Sequence, residues 1–129
     1  MAKKRSDNML SRITPRVKLW LEVDGDVVFG GGRVELFEAI EELGSIKQAS
    51  EKLSMSYRAA WGKIKATEER LGLELVQRQA GGRHSGAELT PMGKELLMIY
   101  GKYRQNVATA MDNAFSDYFQ EFKNESGNG

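Results

Sequence analysis

Val17, Leu19, Leu21 and Val23 alternate with Lys18, Trp20 and Glu22, the two-residue period of a strand. Asp24-Gly25 follows, a dipeptide that supplies the positive φ angles of a tight hairpin turn, and Val27, Val28 and Phe29 then return. The pattern predicts a small β-hairpin that ends at Gly30-Gly31-Gly32. These glycines lack the Lys-Ser/Thr pair of a phosphate loop and the spacing of a dinucleotide fingerprint, so they read as a connector. The period then changes. Val34, Phe37, Ile40 and Leu43 recur at helical spacing with Glu35, Glu38 and Glu42 outside, and Gly44 stops this first helix. Ser45 and Gln48 form a capping box that opens a second, short helix with Ile46, Ala49 and Leu53 inside. After the turn Leu53-Ser54-Met55-Ser56, a third helix carries Ala60, Ile64, Thr67 and Leu71 on one line and closes at Gly72.

Residues 73–78 are strand-like, 80–86 are Gly-rich loop, and Ala87-Glu88-Leu89 return as a short strand, which together predict a wing. Thr90-Pro91 places an N-cap before a proline at the first helical position. The last helix is expected over 91–122. Leu96, Tyr100, Tyr103, Val107, Ala110, Ala114 and Tyr118 follow four-and-three spacing, flanked by Leu97, Met111, Phe115 and Phe119. Roughly thirty residues at about 1.5 Å each make a rod of about 45 Å, too long for a domain of this size to bury. The expected division is a basic N-terminal arm over 1–16, a winged helix-turn-helix over 17–90, a long helix over 91–122 and a disordered tail over 123–129. The fold class is mainly α with small β-hairpins.

Composition narrows the chemistry. With no cysteine, disulfides, thiolate catalysis and cysteine-based zinc sites are excluded. The single histidine, His84, makes a Ser-His-Asp hydrolase or a His-rich metal site a poor fit. No nucleophile–base pair or phosphate loop stands out, so an enzyme is not expected, nor is any cofactor or metal. The apolar runs are too short for a membrane helix, and no apolar segment or cleavage site follows the basic N-terminus, so the chain reads as cytoplasmic.

A net charge of +1 says little, but its distribution says more. Lys3, Lys4, Arg5, Arg12, Arg16 and Lys18 face only Asp7 in the first 18 residues, and the segment 47–83 is net basic. Acids gather in the first helix and near the C-terminal end. Separated patches of this kind can present a positive face to phosphates.

A helix-turn-helix that reads DNA needs small and aliphatic residues at the helix crossing, a tight turn, and an outer face that reaches bases and phosphates. Ala49 sits at the expected crossing. Ser56, Tyr57, Arg58, Trp61 and Lys63 are expected on the outer face; Arg58 can donate two bonds to guanine, and Lys63 and Lys65 suit phosphates. Trp61 is equally explained as an aromatic half-buried at the edge of the core. Arg78, Arg83 and His84 lie on the wing, where they can reach the neighbouring backbone, although Arg78 can instead anchor the wing to the helix. The competing reading is a helical hairpin with a solvated face, a protein-interaction module whose long helix docks a partner.

Three stretches carry a resemblance: Gly44-Ser45-Ile46-Lys47-Gln48-Ala49-Ser50, Met55-Ser56-Tyr57-Arg58-Ala59-Ala60-Trp61, and Gly81-Gly82 with Leu89-Thr90-Pro91-Met92-Gly93-Lys94. They resemble the N-terminal domain of the ModE family of molybdenum-dependent transcriptional regulators, and the helix-turn-helix is similar to that of LysR-type regulators. The match runs from about Val17 to Tyr118, with the Ser-Tyr-Arg-Ala-Ala-Trp stretch its most specific part. The resemblance implies a homodimer that binds a palindromic operator in double-stranded DNA, with residues 56–65 in the major groove. It implies a dimer contact from the long helix, expected at Leu96, Tyr100, Tyr103, Val107, Met111 and Phe115. Full-length members also carry C-terminal oxyanion-binding domains that sense molybdate. These 129 residues stop just after the long helix, so regulation by molybdate is not carried over and no small-molecule effector is expected.

Overall fold

The computed structural model describes residues 9–79 and 86–128, with side chains as far as Phe122. The elements are β1 (Trp20–Val23), β2 (Asp26–Gly30), α1 (Gly32–Leu43), α2 (Ile46–Lys52), α3 (Tyr57–Leu71), β3 (Val76–Arg78), β4 (Ala87–Leu89) and α4 (Pro91–Asn128). Two compact units are present, one of residues 19–102 and one drawn from residues 1–18 and 103–129. The fold class is as the periodicity predicts: mostly helix, with two separate antiparallel hairpins.

Local chemistry sets most boundaries. Asp24 (φ 51°) and Gly25 (φ 88°) both take left-handed backbone in the β1–β2 turn, the pairing that suits strand twist. β1 begins at Trp20 and not at Val17. Val17 is 53% exposed, so its place in the alternation corresponds to no buried face. From Trp20 onward the alternation holds, with Leu21 and Val23 half-buried and Trp20 and Glu22 outside, where the indole N–H donates to the Glu22 carboxylate at 2.7 Å. A register shift between Leu21 and Glu22 bends the pair. The glycine run is less of a connector than its composition predicts, because Gly30 still pairs with Trp20 and Gly32 already starts α1.

The Ser45 hydroxyl caps α2 by accepting from the Gln48 amide at 3.1 Å. The Thr90 hydroxyl caps α4 by accepting from the Gly93 amide at 3.0 Å, and it donates to the Glu74 carbonyl at 2.8 Å. α4 runs to Asn128, past the expected end at Phe122, so the backbone expected to be a disordered tail is helical as far as that residue.

The core of the 19–102 unit gathers Leu36, Phe37 and Ile40 of α1, Ala49 of α2, Ala60 and Ile64 of α3, and Leu75 and Leu89 of the wing base. Ala49 is fully buried, as a close helix crossing requires. α4 enters this core at Leu96, Leu97 and Tyr100. Tyr100 is only 4% exposed and its ring stacks on Phe29 at 5.6 Å, so its expected place in a dimer contact is corrected. Leu96 is likewise half-buried against the core. The first turns of the helix close the domain, and the apolar spacing of 96 and 100 serves that closure. Farther along, Phe115, Phe119 and Phe122 follow one another along the helix, with Phe115 and Phe119 stacked at 4.7 Å.

Gly93 shows how tightly α4 meets the wing base. A Cβ there would lie 2.4 Å from the Leu75 carbonyl oxygen, a backbone atom that cannot swing away. Gly93→Ala should therefore cost about 1–3 kcal/mol, read as a lowered urea midpoint with an unchanged slope.

Candidate nucleic-acid interface

α2, its turn and α3 form the helix-turn-helix. The turn is built by a residue that sequence reasoning passes over. Ser54 takes left-handed backbone (φ 57°), which lets the Ser54 amide bond to the Glu51 carbonyl at 3.1 Å and the Met55 amide to the Ser50 carbonyl at 2.9 Å. These paired bonds satisfy the last carbonyls of α2, a role that glycine usually fills. α3 starts immediately afterwards, capped by the Ser56 hydroxyl, which accepts from the Ala59 amide at 3.0 Å. Ser56, expected on the outer face, thus spends one acceptor on its own helix and keeps its O–H proton to donate.

Arg58 lies exposed on the first turn of α3, with no hydrogen bond or ion pair to another described residue. Lys63 is half-buried, and Lys65 is exposed with its ammonium 3.5 Å from Glu68. Trp61 is half-buried against the core. Its ring holds two cations, the Lys65 ammonium 4.7 Å and the Arg78 guanidinium 4.6 Å from the centroid. Arg78 also donates to the Tyr57 hydroxyl. Arg78 therefore anchors the wing to α3, and Tyr57, Trp61, Lys65 and Arg78 form one cluster. Arg83 and His84 lie outside the described residues.

The base of the wing is held at three further points. The Glu68 carboxylate, 8% exposed, accepts from the Leu75 amide at 2.8 Å and the Val76 amide at 3.1 Å, tying β3 to the inner side of α3. The Ala87 amide of β4 donates to the Gly44 carbonyl at the end of α1 at 3.0 Å. The Gln79 amide donates to the Gly86 carbonyl at 2.9 Å, extending the ladder beyond Arg78. Sequence reasoning missed Glu68, which stands next to the predicted Ala60–Ile64–Thr67 line; an acid at that position reads as surface until its two amide partners are known. The far end of α3 is clamped to α1 and to the first hairpin. The Arg33 guanidinium donates to the Thr67 hydroxyl at 3.1 Å, and Arg70 donates to the Val27 carbonyl at 2.7 Å. Burial, and then the nearby Arg70 charge, hold the Arg33 pKa below its ordinary value.

A short helix, a tight turn and a second helix with an exposed cation on its first turn, followed by a hairpin fixed to that helix, is the arrangement of a winged helix-turn-helix. Residues 32–94 match the family described as bacterial regulatory helix-turn-helix protein, lysR family. Over these residues the chain is similar to a LysR-type helix-turn-helix domain. The domain is similar to "Molybdenum transport protein ModE" of Azotobacter vinelandii, 33% identical over 96 residues that make up 74% of this chain and 36% of that protein. It is also similar to "Molybdenum-pterin-binding protein MopB" of Rhodobacter capsulatus, 39% identical over 61% of this chain and 30% of that protein. A third relative is the "DNA-binding transcriptional dual regulator ModE" of Escherichia coli, 33% identical over 62% of this chain and 31% of that protein. The chain thus spans about a third of the length of these relatives. Among solved structures, the chain resembles a CbnR DNA-binding domain in complex with DNA, with a TM-score of 0.53 and 25% identity, over 66% of this chain and 93% of that one. It also resembles CbnR, a LysR family transcriptional regulator, with a TM-score of 0.51 and 25% identity, over 65% of this chain and 28% of that one. Among the described residues, no helix is long and apolar enough to cross a membrane, and no group of acids and histidine could hold a metal ion.

Proposed function

We propose that this chain is a transcriptional regulator that reads a palindromic operator in duplex DNA as a homodimer, with the first turns of α3 in the major groove. The observation that supports this most is the isolation of Arg58. A guanidinium at the start of a recognition helix, unengaged by the described residues, is free to donate two parallel bonds to the N7 and O6 of a guanine. Its neighbours are arranged to keep that geometry rigid. Tyr57 and Arg78 join the wing to the same helix end, and the cations around Trp61 suit the adjacent phosphates. Ser56, Lys63, Arg83 and His84 belong to this reading as backbone contacts.

The dimer rests on α4. Beyond its buried first turns the helix presents Met98 (56% exposed), Ile99 (51%) and Tyr103 (45%), which a second copy would cover. Val107, Met111 and Phe115, all half-buried, continue the proposed contact. Two-fold symmetry would set the recognition helices about 34 Å apart, one turn of DNA.

Selection of bound sequences from random duplex DNA supplies the operator, and a palindrome among them supports the dimer. On that operator, Arg58→Ala should weaken binding by about 1–3 kcal/mol and relax selectivity at one base position in each half-site. Affinity should also fall steeply with salt, as phosphate contacts release counterions. A protein that captured no duplex at low salt would be an interaction module.

A further inference from the structure

We infer that α3 comes closest to the DNA at Gly62, and that this position is glycine for the sake of the ligand. The inference rests on the DNA-binding reading above. Gly62 is the sixth residue of the fifteen-residue α3, an interior position where glycine weakens a helix relative to alanine. A chain ordinarily keeps a helical glycine for one of two internal reasons, and neither applies. The backbone at Gly62 is not left-handed, unlike that at Gly44 and Gly72, which end their helices. Nor does another part of the protein crowd it. A Cβ at Gly62 would meet no atom within 4 Å, whereas at Gly93 or Gly30 it would collide with backbone or with Trp20.

What Gly62 adjoins is the outer surface of the helix. Arg58 lies one turn before it, and Ala59 and Ala66 lie three residues before and four after, so all three share its side of α3. Arg58 and Ala59 are exposed and Ala66 is half-buried. Lys65, three residues after Gly62, also borders the strip, with its ammonium over the Trp61 ring; between it and Arg58 the surface is low, made by Ala59, Gly62 and Ala66. A surface of that relief lets the helix backbone settle deep in the groove, which a guanidinium needs if it is to reach base edges at hydrogen-bond distance. A methyl group at 62 would hold the helix off and lengthen the Arg58 bonds. Gly101, another helical glycine with open space around it, lies on α4, where the proposed dimer contact would make a similar demand for close approach.

The experiment compares Gly62→Ala, Arg58→Ala and the unaltered chain on the duplex recovered by selection. Gly62→Ala should raise Tm by about 3–5 °C, since alanine extends an open helix more favourably. It should also weaken operator binding at least roughly fivefold, the lower end of what one bidentate base contact contributes. A stabilised Gly62→Ala protein that bound as tightly as the unaltered chain would overturn the inference. So would one that gained no stability, since the glycine would then serve the fold. Arg58→Ala keeps the two levels apart. If it too bound normally, the DNA reading of α3 would fail; if it bound weakly while Gly62→Ala did not, only the role of Gly62 would be lost.

Discussion

Tyr100→Ala is expected to cost the protein about 3–5 kcal/mol of folding stability, the range for emptying a buried aromatic site. The ring is covered on all sides within the 19–102 unit and stacks on Phe29, which in turn meets Phe37 at 6.3 Å. Its removal opens a cavity where α1, β2 and the start of α4 come together, and rigid elements on each side limit how far the space can close. The hydroxyl is a smaller matter. It donates to the Leu19 carbonyl at 3.2 Å, so Tyr100→Phe should lose only about 1 kcal/mol. Urea unfolding at several protein concentrations tests the assignment. A core tyrosine lowers stability by the same amount at every concentration, whereas a dimer contact makes the loss depend on concentration. If Tyr100→Ala kept the original stability and lost self-association, the ring would belong to the subunit interface.

The second large effect is expected at Glu68. Glu68→Ala removes the acceptor for two buried amides, those of Leu75 and Val76, and should cost about 2–4 kcal/mol, because each stranded donor carries its own desolvation penalty. The damage should be local before it is global. β3 would lose its tie to α3, so hydrogen exchange at Leu75 and Val76 should quicken more than exchange in α1. Operator binding should weaken with it, since Glu68, with Tyr57 and Arg78, sets the angle between wing and recognition helix. Glu68→Gln retains one accepting oxygen and should fall between the two. Unchanged exchange at both amides in Glu68→Ala would show that the carboxylate does not hold the wing.

These two residues also mark how far the sequence could be read. Both were visible as letters in a helical pattern; Tyr100 was expected in a dimer contact, and Glu68 was not singled out. The spacing of Tyr100 with Leu96 and Tyr103 marks one apolar face, but periodicity cannot say whether that face meets the chain's own core or a second copy. An acid such as Glu68 is seldom buried without partners. Its partners are backbone amides on another element, and backbone groups leave no trace in a residue pattern. Arg78 stood between two readings, DNA contact or wing anchor; the structure shows the anchor, through the Tyr57 hydroxyl and the Trp61 ring, and the phosphate contact is part of the proposed function. Gly62 passed unnoticed because only the empty space around it gives it meaning.

What the sequence determined alone was whatever depends on neighbours along the chain. The Asp24-Gly25 turn, the Ser45 and Thr90 caps, the Gly44 and Gly72 stops and the helical periods are set within about four residues, the reach of a turn or a cap, and each is found where it was expected. The Ser54 turn was legible in position but not in conformation, because serine rarely takes left-handed backbone unless its surroundings require it. The tertiary structure decided the rest: where β1 begins, which apolar face of α4 closes the core, and how the wing is fixed to the recognition helix. Those outcomes depend on contacts between residues far apart in the chain, such as Leu19 with Tyr100 and Tyr57 with Arg78, whose energies exist only once the elements have packed.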